Sequence, residues 1–130
     1  TYHAVLHVPA GLIRPDRQIW LDLGNVREIA SVSVNGTDAG TQWRAPFLVR
    51  IDRQLHAGDN AIAVQVTNLW PNRIIGDLQP SAKVQYAHTN VRAYSANSAL
   101  LPSGLLEPVQ VSVVSVKRYR PSRKLASESR

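Results

Sequence analysis

Apolar residues recur along this chain with a period close to two, in short runs that Gly, Pro, Asn and Asp interrupt. Tyr2, Ala4, Leu6 and Val8 share one face before Pro9-Ala10-Gly11, and Ile19, Leu21 and Leu23 share the next, ended by Gly24-Asn25. This spacing predicts half-buried β-strands, because successive side chains of a strand point to opposite faces. Ile29 to Val34 follows, and Val34-Asn35-Gly36-Thr37 carries the Asn-Gly pair of a two-residue type I′ hairpin, whose central residues both need positive φ. Further runs are Phe47-Val49-Ile51, Ala61 to Val66, and Val109 to Val116. Ile62, Val64 and Val66 are expected to be buried in a central strand. In the last run the apolar phase moves from odd to even positions between Val113 and Val114, which predicts a bulge there.

Six or more strands joined by short turns, with no convincing amphipathic helix, indicate an all-β fold: an antiparallel sandwich or jelly roll with a core of Val, Ile and Leu. One stretch breaks the pattern. From Asn68 to Pro108, about 40 residues carry Pro71, Pro80 and Pro102 and little regular alternation, although Lys83 to Tyr86 reads as a short strand. A loop of that length is expected to be functional or packed on something.

Composition narrows the function classes. The chain has 130 residues, 44% hydrophobic and 18% charged, which is one globular domain. No apolar run approaches the roughly 18 residues of a spanning helix. The opening Thr1-Tyr2-His3-Ala4 has neither Met nor a signal pattern, so the chain is expected to be a cut-out or processed piece. The absence of Cys excludes disulfides and thiolate metal sites and fits both a reducing cytosol and an exported protein, leaving the compartment open. The net charge of +6 is concentrated: Lys117, Arg118, Arg120, Arg123, Lys124 and Arg130 against Glu128 supply +5 of it. The expected organisation is a sandwich over 1–118 followed by a basic, Ser-rich, solvated tail over 119–130. The remaining body is almost neutral and shows no basic stripe, which argues against a nucleic-acid partner.

The chemistry-bearing residues are sparse. His3, His7, His56 and His88 include no helical zinc-hydrolase spacing, and His3 and His7, as strand neighbours about 13 Å apart, cannot chelate one ion. Ser103-Gly104 sits in a Pro-bounded turn, not in a nucleophile elbow. No metal or cofactor is expected. A glycosidase needs two carboxyl groups flanking the scissile bond, and only Asp77 and Glu107 fall in the irregular region where a cleft can form. The segment Asn68-Leu69-Trp70-Pro71-Asn72-Arg73-Ile74-Ile75-Gly76-Asp77 gathers an indole, amides, a guanidinium and a carboxylate. An aromatic face covers the C–H face of a pyranose, and Asn, Arg and Asp make directional bonds to hydroxyls, so Trp70, Asn72, Arg73 and Asp77 are candidate sugar-binding or cleft-lining residues, with Trp43 beside them. The same residues also fit a structural role, with Trp70 plugging the core and Arg73 pairing with Asp77 four residues on. Both readings stand at this point.

The ordered phrases Trp20-Leu21-Asp22-Leu23-Gly24, Val26-Arg27-Glu28-Ile29-Ala30, Val34-Asn35-Gly36, Gly40, Trp43 and Pro46-Phe47 resemble the galactose-binding-like sandwich of modules in large glycoside hydrolases. The set continues through Gly58-Asp59-Asn60, Val66-Thr67-Asn68-Leu69-Trp70-Pro71-Asn72-Arg73 and Leu100-Leu101-Pro102-Ser103-Gly104-Leu105-Leu106-Glu107-Pro108-Val109. It is similar to the C-terminal module of family 106 glycoside hydrolases, the α-L-rhamnosidases, over roughly Thr1 to Val116. The resemblance implies a non-catalytic partner of a catalytic domain that lies N-terminal to it, with rhamnose-containing glycans as the associated ligands. The chain alone is then expected to hydrolyse nothing. Periplasmic or secreted placement follows if the parent is exported. Glu107 departs from the small residue expected before Pro108, which bears on any positive φ at that point.

Two roles compete. In one, the module is an accessory domain that packs its 69–107 segment on the catalytic domain and helps to shape the substrate cleft. In the other, it is an autonomous carbohydrate-binding module with a site around Trp70 and Arg73. The Leu and Pro content of the segment favours docking, because Leu100, Leu101, Leu105 and Leu106 otherwise form an exposed apolar patch.

Overall fold

A computed structural model describes residues 1–117. The expected basic tail over 119–130 lies outside the described residues. Among the described residues, nine strands, a 3-10 turn at Ala10–Leu12 and one short α-helix follow in order: β1 (Tyr2–Val8), β2 (Arg17–Asp22), β3 (Val26–Arg27), β4 (Ile29–Val34), β5 (Thr37–Gln42), β6 (Leu48–Arg50), β7 (Gly58–Thr67), helix α1 (Pro71–Asp77), β8 (Gly104–Leu105) and β9 (Gln110–Ser115). A four-stranded sheet, β1-β7-β4-β5, faces a three-stranded sheet, β6-β2-β9, and a two-stranded ribbon joins β3 to β8. Every pairing is antiparallel. The fold is the expected all-β sandwich.

Alternation places the core. Ile19, Leu21 and Leu23 meet Ala30, Val32 and Val34 of the opposite sheet, and Phe47, Val49, Ile51, Ile62 and Val64 fill the space between them. β7 is central, held by β1 on one side and β4 on the other, with Ile62 and Val64 buried; Val66, near its end, is only half-buried. Asn35 and Gly36 form the two-residue turn, with φ of 52° and 77°, the left-handed pair that a type I′ hairpin requires. Asn35 also ties the turn to the next strand, because its backbone N–H donates to the Ala61 carbonyl at 2.8 Å and its Oδ1 accepts the Ala61 N–H at 2.9 Å.

Three expectations are corrected. β9 carries no bulge, since its pairing with β2 runs in unbroken register from Arg17–Ser115 to Asp22–Gln110. The register shift lies instead between Val32 and Ser33 of the β4–β5 hairpin, where Gly40 takes a φ of 124°. The phase change in β9 reflects its position at the rim of the sandwich, where both faces meet solvent: Val111 and Val113, opposite buried Leu21 and Ile19, are each still 41% exposed. Lys83 to Tyr86 is not a strand, and the irregular region contains a helix, α1, that period-two reading passed over because it is only seven residues long. Pro71 starts α1 at its first turn, where no N–H is needed from it.

Candidate functional site

The segment after β7 is organised from α1 outward. Asn68 Nδ2 donates to Ser103 Oγ at 2.6 Å, drawing the two ends of the excursion together. At the second residue of the helix, Asn72 Nδ2 donates to the Leu101 carbonyl and its Oδ1 accepts the Leu101 N–H, both at 2.8 Å. This pair of bonds imitates a strand partner, so residue 101 is held without any sheet. At the end of the helix Asp77, with its side chain almost wholly covered, receives the N–H groups of Tyr86 at 2.8 Å and Ala87 at 2.7 Å on one oxygen and Arg73 at 2.9 Å on the other. Gln79 adds a fourth fastening, donating to the Ala96 carbonyl at 2.7 Å.

Asp77 stays a carboxylate. Its burial acts to raise the pKa, but the Ala87 and Tyr86 N–H groups and the Arg73 guanidinium outweigh that and hold it below the usual carboxylate range. A group so held is a poor proton donor at neutral pH, which removes Asp77 as a general acid. The other acid of the region, Glu107, packs against Gly24, which supplies the positive φ of 62° itself; Glu107 does not adopt one. The departure at Glu107 therefore leaves the backbone undisturbed, and the left-handed residue sits across from it.

The structure divides the five candidate residues. Asn72, Arg73 and Asp77 line one shallow cleft of about 380 Å³ together with Tyr86, whose ring lies 4.0 Å from the Arg73 guanidinium carbon. Their polar groups are engaged within the chain: Arg73 with Asp77 and Tyr86, Asn72 with Leu101, and Asp77 with three partners. Trp70 precedes α1 and is 68% exposed, so it is no core plug; Trp43, 69% exposed beneath Arg44, does not line that cleft either. Leu69, next to Trp70 in the chain, is 55% exposed; Leu101, which shares a small pocket with Leu69, and its neighbour Leu100, 67% exposed, are also uncovered. Leu105 leaves this patch, because it pairs with Val26 in the β3–β8 ribbon and packs on the core. Tyr86 and Gln79 were not visible as functional residues in the sequence, since their partners are set by the excursion's path and not by local spacing.

No protein-family profile matches the chain. A protein of Formosa agariphila named "Putative beta-glucuronidase" is 34% identical over 137 aligned positions, which cover 88% of this chain and 12% of that protein. The solved rhamnosidase of Novosphingobium sp. PP1Y is 40% identical with a TM-score of 0.77, over 86% of this chain and 10% of that one. An FMN-binding beta-glucuronidase from Facaelibacterium prausnitzii L2-6 shares the fold, with a TM-score of 0.56 at 19% identity over 88% of this chain. The chain thus spans about a tenth of the length of the glycosidases it matches. It corresponds to a small β-sandwich module of large glycoside hydrolases.

Proposed function

We propose that this chain is the non-catalytic accessory module of an α-L-rhamnosidase-type glycoside hydrolase, with a galactose-binding-like sandwich, and that it packs on the catalytic domain through the face of its 69–107 segment and helps to shape the substrate cleft. The observation that carries this reading is the exposed group of Leu69, Trp70, Leu100 and Leu101 on a segment fastened internally by Asn72 and Asp77. A surface Trp and three Leu on a rigid support cost water contact unless another surface covers them. Rhamnose-containing glycans are the ligands that go with this reading. Asn72, Arg73 and Asp77 serve it as the framework that presents Trp70, and Trp43 serves as an outlying contact.

The test uses an aryl α-L-rhamnoside with this chain alone, with the parent enzyme, and with the parent carrying Trp70→Glu or Arg73→Ala. The chain alone is expected to be inactive, and Trp70→Glu to lower the parent's kcat/KM and its domain cohesion in limited proteolysis. Hydrolysis by the chain alone, or a Trp70→Glu parent indistinguishable from the unaltered enzyme, overturns the reading. An Arg73→Ala parent that loses stability with unchanged kinetics per folded molecule keeps Arg73 as framework.

A further inference from the structure

A second cleft lies on the neighbouring face of α1, at Ile74 and Leu78 and not at Arg73 and Asp77, and nothing above uses it. It measures about 460 Å³, within the range of small-ligand sites, and runs between α1 and the loop 85–96. Ile74 and Leu78 form an apolar floor. The wall opposite is pinned at both ends: Asp77 holds the N–H groups of Tyr86 and Ala87, and Gln79 holds the Ala96 carbonyl. Thr89 closes the bend between the pins by accepting the Val91 N–H at 3.1 Å. The loop therefore presents a preset wall to the cleft.

The side chains on that wall differ from those of the first cleft in being unspent. Gln85, His88, Arg92 and Tyr94 line the space, and none of their side chains makes a hydrogen bond or ion pair among the described residues. Arg92 brings a fixed positive charge, and the lining includes no Asp or Glu to neutralise it. A half-buried Tyr supplies a flat face with one polar end, which suits the C–H face of a pyranose. An amide and an imidazole add donors and acceptors for hydroxyls. An uncompensated guanidinium next to these groups selects a carboxylate, which it can hold by two parallel bonds.

We infer that the cleft between α1 and the loop 85–96 is a binding site for an acidic pyranose, a uronate, whose carboxylate pairs with Arg92 while its ring lies on Tyr94. The site is distinct from the Trp70 face, since none of Leu69, Trp70, Leu100 and Leu101 lines it.

The test is a titration of the 130-residue chain, followed by amide chemical shifts, with D-glucuronate and with D-glucose as its neutral counterpart. Glucuronate is expected to shift amides of residues 85–96 and to bind more tightly than glucose by up to about fivefold, the increment of one partly exposed charge pair. Arg92→Gln is expected to abolish that preference, Tyr94→Ala to weaken both sugars, and Arg53→Gln, an exposed arginine elsewhere, to change neither. Shifts confined to residues outside 85–96, equal binding of the two sugars, or an unchanged preference in Arg92→Gln each overturn the assignment. All three variants alter partly or fully exposed residues, and unchanged amide dispersion outside the cleft confirms that each is folded.

Discussion

Asn60 offers the sharpest test of how this sandwich is held together. It is fully buried at the start of β7, where a polar side chain is tolerated only if its bonds are made. They are made. Its Oδ1 accepts from Asn35 Nδ2 at 2.8 Å and from the His56 N–H at 2.9 Å, and its Nδ2 donates to the His56 carbonyl at 2.8 Å and the Gly58 carbonyl at 3.0 Å. One amide thus joins the β4–β5 turn to the loop before β7. Asn60→Ala deletes these four bonds, at a net value of about 1 kcal/mol each, and a fifth, long and weak one to the Leu6 carbonyl at 3.5 Å, while water reaching the exposed His56 recovers part of this, so the expected loss is about 3 kcal/mol. For a domain of this size that lowers Tm by about 12 °C. Asn60→Asp adds a signed prediction: the new carboxylate oxygen faces the two carbonyls that Nδ2 now serves, so the neutral acid is favoured and the folded pKa rises above the unfolded one. The stability of that variant is then fully present below the unfolded pKa of about 3.9 and is lost as pH rises through the folded value, so its deficit widens towards neutral pH. Urea unfolding followed by circular dichroism at pH 4 and pH 7 reads both effects. An Asn60→Ala loss below about 0.5 kcal/mol, the range of an ordinary surface change, refutes the reasoning, as does a pH-independent deficit in Asn60→Asp.

Two further outcomes follow from the same structure. Val64, buried between Tyr2 of β1 and Val32 of β4, is expected to lose several kcal/mol on Val64→Asp, because an unpaired charge enters an apolar site; a normal denaturant midpoint would show that β7 is misplaced. Asp77 has a lowered folded pKa, so the clamp it provides is present above the ordinary carboxylate pKa and is released as pH falls through the folded value. The protection factors of the Tyr86 and Ala87 amides, exchange rates corrected for their intrinsic pH dependence, are therefore expected to fall in acid, and Asp77→Asn, which keeps an acceptor but loses the charge, to show lower protection already at neutral pH. Exchange that is the same in the variant and the parent would assign the order of this loop to other contacts.

Period-two alternation located the body strands, because burial of one face is a property of neighbouring residues and survives without knowledge of the fold. The Asn35-Gly36 turn was equally legible, since positive φ at two successive positions leaves few residue choices. The Arg73–Asp77 pair could be foreseen from its spacing of four, although the sequence left open whether those groups faced each other or a ligand. Other features depended on where distant segments return. Helix α1 was too short to show a period against its Pro-rich surroundings, and the apolar phase change in β9 had the same sequence appearance as a bulge while arising from a strand at the sandwich rim.

The sequence by itself determined the all-β class, the hairpin and the faces that make the core, because each rests on bonding and burial among residues a few positions apart. Tertiary structure decided which polar groups were spent and which were free. Asn72 meets Leu101 across 29 positions, Gln79 meets Ala96 across 17, and Asn60 meets Asn35 across 25, so no local pattern could announce them. Those pairings separate the internally satisfied cluster of Asn72, Arg73 and Asp77 from the unspent wall of Gln85, His88, Arg92 and Tyr94, since a side chain can recognise a ligand only with the bonds its own fold has left unmade.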